Sequence, residues 1–136
     1  MKLRFFYYDA GYVHPVLGRV FRWEKTVIEG NDAKRYERYV CGVLSAIAQR
    51  QVSCDRLLKD IDDVENGIET EIETGGNDVA LTIRPAGVQV DILVNDDWCD
   101  QPEGHFELRE WKIVLEGWRR FLGMPESAES VVEVTL

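Results

Sequence analysis

Cys99, Asp100 and His105 fall within one short stretch of the chain. A thiol, a carboxylate and an imidazole are the parts of a nucleophilic site in which a base activates the sulfur. The same stretch holds Asp96, Asp97 and Glu103, so with Asp100 and His105 it also offers oxygen and nitrogen donors that cations accept. Both chemistries meet objections. Asp96, Asp97, Asp100, Glu103, Glu107 and Glu110 surround the thiol with negative charge, which raises its pKa, and only the thiolate attacks. The carboxylates lack the calcium-loop spacing with its central glycine. A run of acids in a turn is ordinarily a solvated face. No phosphate-binding glycine loop, Gly-x-Ser-x-Gly elbow or His-Glu-x-x-His zinc motif occurs. The expectation is a protein that is not an enzyme, with no catalytic residue, no metal and no cofactor.

The remaining candidates read as structural. Cys41 sits on an expected helix near its core face, where a cysteine behaves as a small apolar residue. Cys54 has no base close by. Three cysteines without tight spacing do not make a disulfide framework. His14, beside Pro15, lacks a carboxylate partner and is expected to be structural or exposed. Trp98 lies between Asp97 and Cys99, in the most polar stretch of the chain. It either folds back onto the core or stands out as an aromatic anchor ringed by polar residues.

The acidic residues are unevenly spread. The chain has 136 residues and a net charge of −9. Residues 1–54 carry nine Lys/Arg and five Asp/Glu, a balance of +4. Residues 55–107 carry three basic and fifteen acidic side chains, a balance of −12, and residues 108–136 balance at −1. Such charge opposes contact with nucleic acid or an anionic membrane and favours a basic partner. Segregation of this kind exceeds what solubility requires and suits a binding face.

The elements that must position these residues follow from periodicity. Val79, Leu81 and Ile83 alternate with Ala80, Thr82 and Arg84, Pro85-Ala86-Gly87 marks a turn, and Val88, Val90, Ile92 and Val94 alternate again with Gln89, Asp91, Leu93 and Asn95. That pattern predicts an antiparallel hairpin. An acidic loop follows from Asn95 to His105. Leu108, Trp111, Leu115, Trp118 and Leu122 recur at helical spacing and share one face. Upstream, Leu3–Tyr8 and Arg19–Ile28 read as strands across a Gly11–Gly18 loop. Gly30-Asn31-Asp32 supplies N-cap chemistry for a helix from Ala33 to about Arg50, with Tyr36, Tyr39, Val40, Val43, Leu44 and Ile47 on its buried face. Ser53 is the candidate cap of a second helix through Leu57, Leu58, Ile61 and Val64, stopped by Asn66-Gly67. Ile68–Thr74 reads as an edge strand with Glu69, Glu71 and Glu73 on one side. Val131–Leu136 is either a last strand or loose. The sum is a single α+β domain over residues 1–136: an antiparallel sheet of four to six strands packed by two or three helices. The composition, 45% hydrophobic and 30% charged, fits a folded globular chain. The N-terminal residues Met1–Asp9 lack an apolar stretch long enough for a signal peptide. The longest uncharged run, Tyr39–Gln49, is too short to span a bilayer. A cytoplasmic protein with reduced thiols is expected. Nothing in the sequence sets its oligomeric state.

The layout resembles small acidic immunity proteins of bacterial toxin systems, such as those of contact-dependent growth inhibition. The likeness rests on the hairpin that opens Asn77-Asp78-Val79-Ala80-Leu81-Thr82-Ile83 and runs to Val94. It rests also on the closing segment from Leu108-Arg109-Glu110-Trp111 to Trp118-Arg119-Arg120-Phe121-Leu122. Together these cover about the last half of the chain. The resemblance implies an inhibitor that binds a cognate toxin domain, in many systems a nuclease whose active site is basic because it holds phosphate. The partner-binding residues expected on the −12 segment are Glu69, Glu71, Glu73, Asp96, Asp97, Asp100 and Glu103, with Trp98 as anchor. The competing readings are a small acidic adaptor or housekeeping domain, and a thiol-dependent enzyme using Cys99 and His105.

Overall fold

A computed structural model describes residues 1–136. Seven strands form two antiparallel sheets. The first has the order β2-β1-β7 and the second the order β3-β4-β5-β6. The strands are β1 Lys2–His14, β2 Gly18–Glu29, β3 Ile72–Gly76, β4 Val79–Arg84, β5 Gly87–Ile92, β6 His105–Phe106 and β7 Val131–Thr135. The α+β class therefore holds, with the strands shared between two sheets. The helical rods number three. The first is α1 Ala33–Tyr36, a π-helical turn Glu37–Cys41 and α2 Gly42–Ile47 in succession; the others are α3 Gln51–Glu65 and α4 Leu108–Leu122. No helix is long and apolar enough to cross a membrane.

One continuous core of 29 buried residues joins both sheets and all three rods. The inner face of the second sheet stacks Ile72, Ile83, Val88 and Phe106 in one cross-strand row. On α4, Leu108, Trp111, Leu115 and Trp118 are buried as their spacing predicts, and Phe121 joins them. Trp118 is the hub of the first sheet's underside. Its ring meets Phe5 and Trp23 edge-on, with centroids 5.4 Å apart in each case, and stacks on Phe121 at 5.3 Å. Its indole N–H donates to the Ala48 carbonyl at 2.7 Å, satisfying a backbone acceptor at the end of α2. Helices α3 and α4 are clamped by ions: Arg119 to Asp55, and Lys112 to Asp62 and Glu65.

Several expected boundaries move. The Gly11–Gly18 loop is mostly strand: β1 continues to His14, and only Pro15–Leu17 turn the chain. Pro at the second turn position and Gly18 at φ 78° suit a three-residue hairpin loop. The first rod stops at Ile47, because Ala48 leaves the helical region at φ −148°, so the two helices are separate. Asp32 gives no side-chain cap and sits at φ 53°, its carbonyl accepting from the Arg35 and Tyr36 N–H groups. The cap position of α3 belongs to Arg50 in place of Ser53. The edge strand begins at Ile72, since the N–H groups of Ile68 and Glu69 both donate to the Asp63 carbonyl and hold those residues against the end of α3. The second hairpin strand ends at Ile92, leaving Leu93 and Val94 exposed in a turn. The acidic loop contains two short 3-10 turns, Asp96–Trp98 and Pro102–Gly104, and His105 enters β6. Val131–Thr135 is strand.

Candidate functional site

Side chains directly opposite one another on neighbouring strands share a sheet face. The register therefore places Glu73, Thr82, Gln89 and His105 in one row across the outer face of the second sheet. With strands about 4.8 Å apart, that row spans roughly 14 Å. In the adjoining row, Asp91 follows Ala80 and Gly75. Asp91 accepts the Asp100 N–H at 2.7 Å, and Gln89 donates to the Gln101 carbonyl at 2.9 Å. These two bonds lay the acidic loop against the outer face, so Asp100 joins Glu73 and Asp91 there. Glu71 lies beside Arg84 in an exposed ion pair, and Glu69 stands exposed before the strand.

The other loop residues face elsewhere. Asp97 and Glu103 line an open cleft of about 680 Å³ together with Asp32, Lys34, Arg35 and Arg38. Three cations thus oppose three carboxylates there. Arg35 is engaged: its guanidinium donates to the backbone carbonyls of Glu103 and His105. Trp98 is half-buried and packs on the core, and the Arg38 guanidinium covers its ring at 4.7 Å. Lys34, Glu37, Gly42 and Ile92 line an open pocket with that pair. Asp96 opens the first 3-10 turn and is exposed. Asn95 caps this turn by accepting the Asp97 N–H at 3.0 Å. The eight residues expected to form one patch therefore divide. Glu71, Glu73 and Asp100 belong to the outer sheet face and its margin, Glu69 lies at the end of α3 near Lys59, and Asp96 stands apart in the first 3-10 turn, whereas Asp97 and Glu103 line a mixed-charge cleft against the first rod with Trp98 under Arg38 beside it. The basic helix flank could be read in the sequence as Lys34, Arg35 and Arg38. Its approach to a loop some sixty residues away could not.

Of the fifteen acidic side chains in residues 55–107, five are ion-paired: Asp55, Asp62, Asp63, Glu65 and Glu71. Three of these, Asp55, Asp62 and Glu65, hold α3 to α4. Among the proposed carboxylates only Glu71 is paired. Glu73 and Asp100 have no cationic partner, so their field extends into solvent.

The chemistry first suggested by the loop does not assemble. The Cys99 thiol is directed at the Ile92 and Asn95 carbonyls, 3.5 and 3.6 Å away, and His105 takes no part in its hydrogen bonding. Desolvation, with Asp91, Asp96 and Asp100 nearby, pushes its pKa up. Nowhere do three or more His, Cys, Asp or Glu side chains converge to hold a metal ion. Cys41 is buried and its pKa is pushed up to about 12, chiefly by desolvation. The His14 Nδ1 accepts the Val16 and Leu17 N–H groups at 3.0 and 3.1 Å, a structural duty in the hairpin turn.

Comparison with protein-family models, with curated proteins and with solved structures yields no significant match.

Proposed function

We propose that this chain is an inhibitory binding protein, of the immunity type, that neutralises a basic toxin domain by docking it on the outer face of the second sheet. One observation carries the reading: Glu73, Asp91 and Asp100 are gathered on one sheet face by strand register and by the Asp91–Asp100 bond, with no cation paired to Glu73 or Asp100. A low-dielectric sheet surface bearing carboxylates of one sign attracts a basic partner from a distance and orients it on approach. A nuclease fits as that partner, because its phosphate site is already basic. The mixed-charge cleft contributes less to steering, since its cations offset Asp97 and Glu103.

The test is a growth assay joined to a pull-down. The open reading frame beside this one is expressed with and without the chain. Rescue of growth and recovery of a complex are expected, together with loss of both in the Glu73→Lys/Asp100→Lys variant. Rescue that survives this double reversal removes the sheet face from the proposal.

A further inference from the structure

The hairpin of β1 and β2 reaches well beyond the rest of its sheet. Strand β7 pairs only with Lys2 to Phe6, whereas β1 and β2 remain paired to His14 and Gly18. Along β2, from Arg22 opposite Tyr8 to Gly18 opposite His14, the arm extends about 13 Å at the usual strand rise. A two-stranded ribbon alone is marginally stable in water. This one nonetheless exposes Tyr8, Tyr12, Val13, Val16 and Leu17, with Val16 and Leu17 86% and 76% accessible at the tip. The tip is shaped, because the His14 ring fixes both residues through their N–H groups. At the base of the same arm lies an open cleft of about 500 Å³ walled by Tyr7, Tyr8, Phe21 and Trp23, with Arg22 and Glu126 at its rim.

Each chain therefore carries an apolar plug and an aromatic socket one arm's length apart. Two arms running antiparallel about a two-fold axis bring each plug to the other's socket, the reciprocal contact that a closed dimer requires. Charge favours the same meeting. Residues 8–22 hold one Asp and two Arg, a balance of +1, which leaves −10 on the remainder of the chain. Two copies meet at their arms with the least repulsion between like charges. The contact is made by side chains. An irregularity between Asp9 and Val13, with Gly11 at φ 86°, blunts the strand edge for backbone pairing.

We propose that the β1–β2 arm joins two copies of this chain, the Val16–Leu17 tip of each seated in the aromatic cleft at the base of the other's arm. The contact uses none of the carboxylates of the sheet face, so it stands or falls apart from the toxin reading.

Sedimentation of the full chain over a wide concentration range tests it. The mass should rise from 15.7 kDa to twice that value. The Val16→Asp/Leu17→Asp variant, altered only at exposed positions, should keep the parent's circular dichroism, and its melting temperature at concentrations where the parent is monomeric. Its dimer should weaken by about a hundredfold or more, as expected for placing charge in an apolar seat. Amide signals of Val16, Leu17 and Trp23 should shift together as the parent is diluted. A parent that stays at 15.7 kDa at its highest soluble concentration overturns the proposal. So does a dimer whose strength the tip variant leaves unchanged.

Discussion

The guanidinium of Arg38 lies over the Trp98 ring, 4.7 Å from its centroid. The indole face that a partner's cation would use is thus occupied by a cation of the same chain. Trp98 holds the acidic loop to the first rod, and the anchor role considered from sequence would require Arg38 to move. A double-mutant cycle on Arg38→Ala and Trp98→Ala, followed by urea denaturation, should give a coupling of about 0.5–1 kcal/mol. A coupling near zero would mean that the two side chains do not support each other in solution.

The two halves of the acidic set should behave differently towards a basic partner. Glu73→Lys/Asp100→Lys and Asp97→Lys/Glu103→Lys both move the net charge from −9 to −5, so any effect of total charge is the same. Only the first pair lies on the sheet face. Stopped-flow association with the toxin domain at low salt should slow about tenfold for the sheet pair and less than about threefold for the cleft pair. Raising the salt should erase the difference. Equal slowing would show that charge location does not matter.

The two buried tryptophans of α4 should respond unequally to loss of the indole N–H. Trp118 donates to Ala48, whereas the Trp111 Nε1 is buried without a hydrogen-bond partner. Trp118→Phe leaves the Ala48 carbonyl unsatisfied; Trp111→Phe removes a donor that had nothing to lose. Both changes shrink a core ring, so the contrast isolates the polar term. Trp118→Phe should be the more destabilising by about 1–3 kcal/mol, read from urea midpoints.

Alkaline pH should weaken the fold through its buried thiols. Desolvation pushes Cys41 up to about 12 and Cys54 up to about 11. The folded state then keeps protons that the unfolded chain releases above roughly pH 8.5. The stability from this difference is fully present below that value and is lost as pH rises through the folded values. Urea midpoints should fall from about pH 9 upward in the parent, and the fall should be shallower in Cys41→Ala/Cys54→Ala. Parallel pH curves for the two proteins would exclude the thiols as its source.

Local pattern alone determined the Val79–Ile92 hairpin, the buried stripe of α4 and the inward face of the first rod. Alternation and helical spacing are properties of neighbouring residues, and apolar burial rewards them wherever the element is placed. The excess of carboxylates in residues 55–107 was equally plain. Which of them remain free was decided by tertiary structure. Arg119 and Lys112 draw Asp55, Asp62 and Glu65 into the α3–α4 contact, and the Asp63 carbonyl captures Ile68 and Glu69 before a strand can start. The meeting of Arg38 with Trp98 and the reach of β1 beyond β7 likewise join or part segments far apart in the chain. Such placements depend on strand register and helix docking, which the whole core sets together, so no short window of sequence contains them.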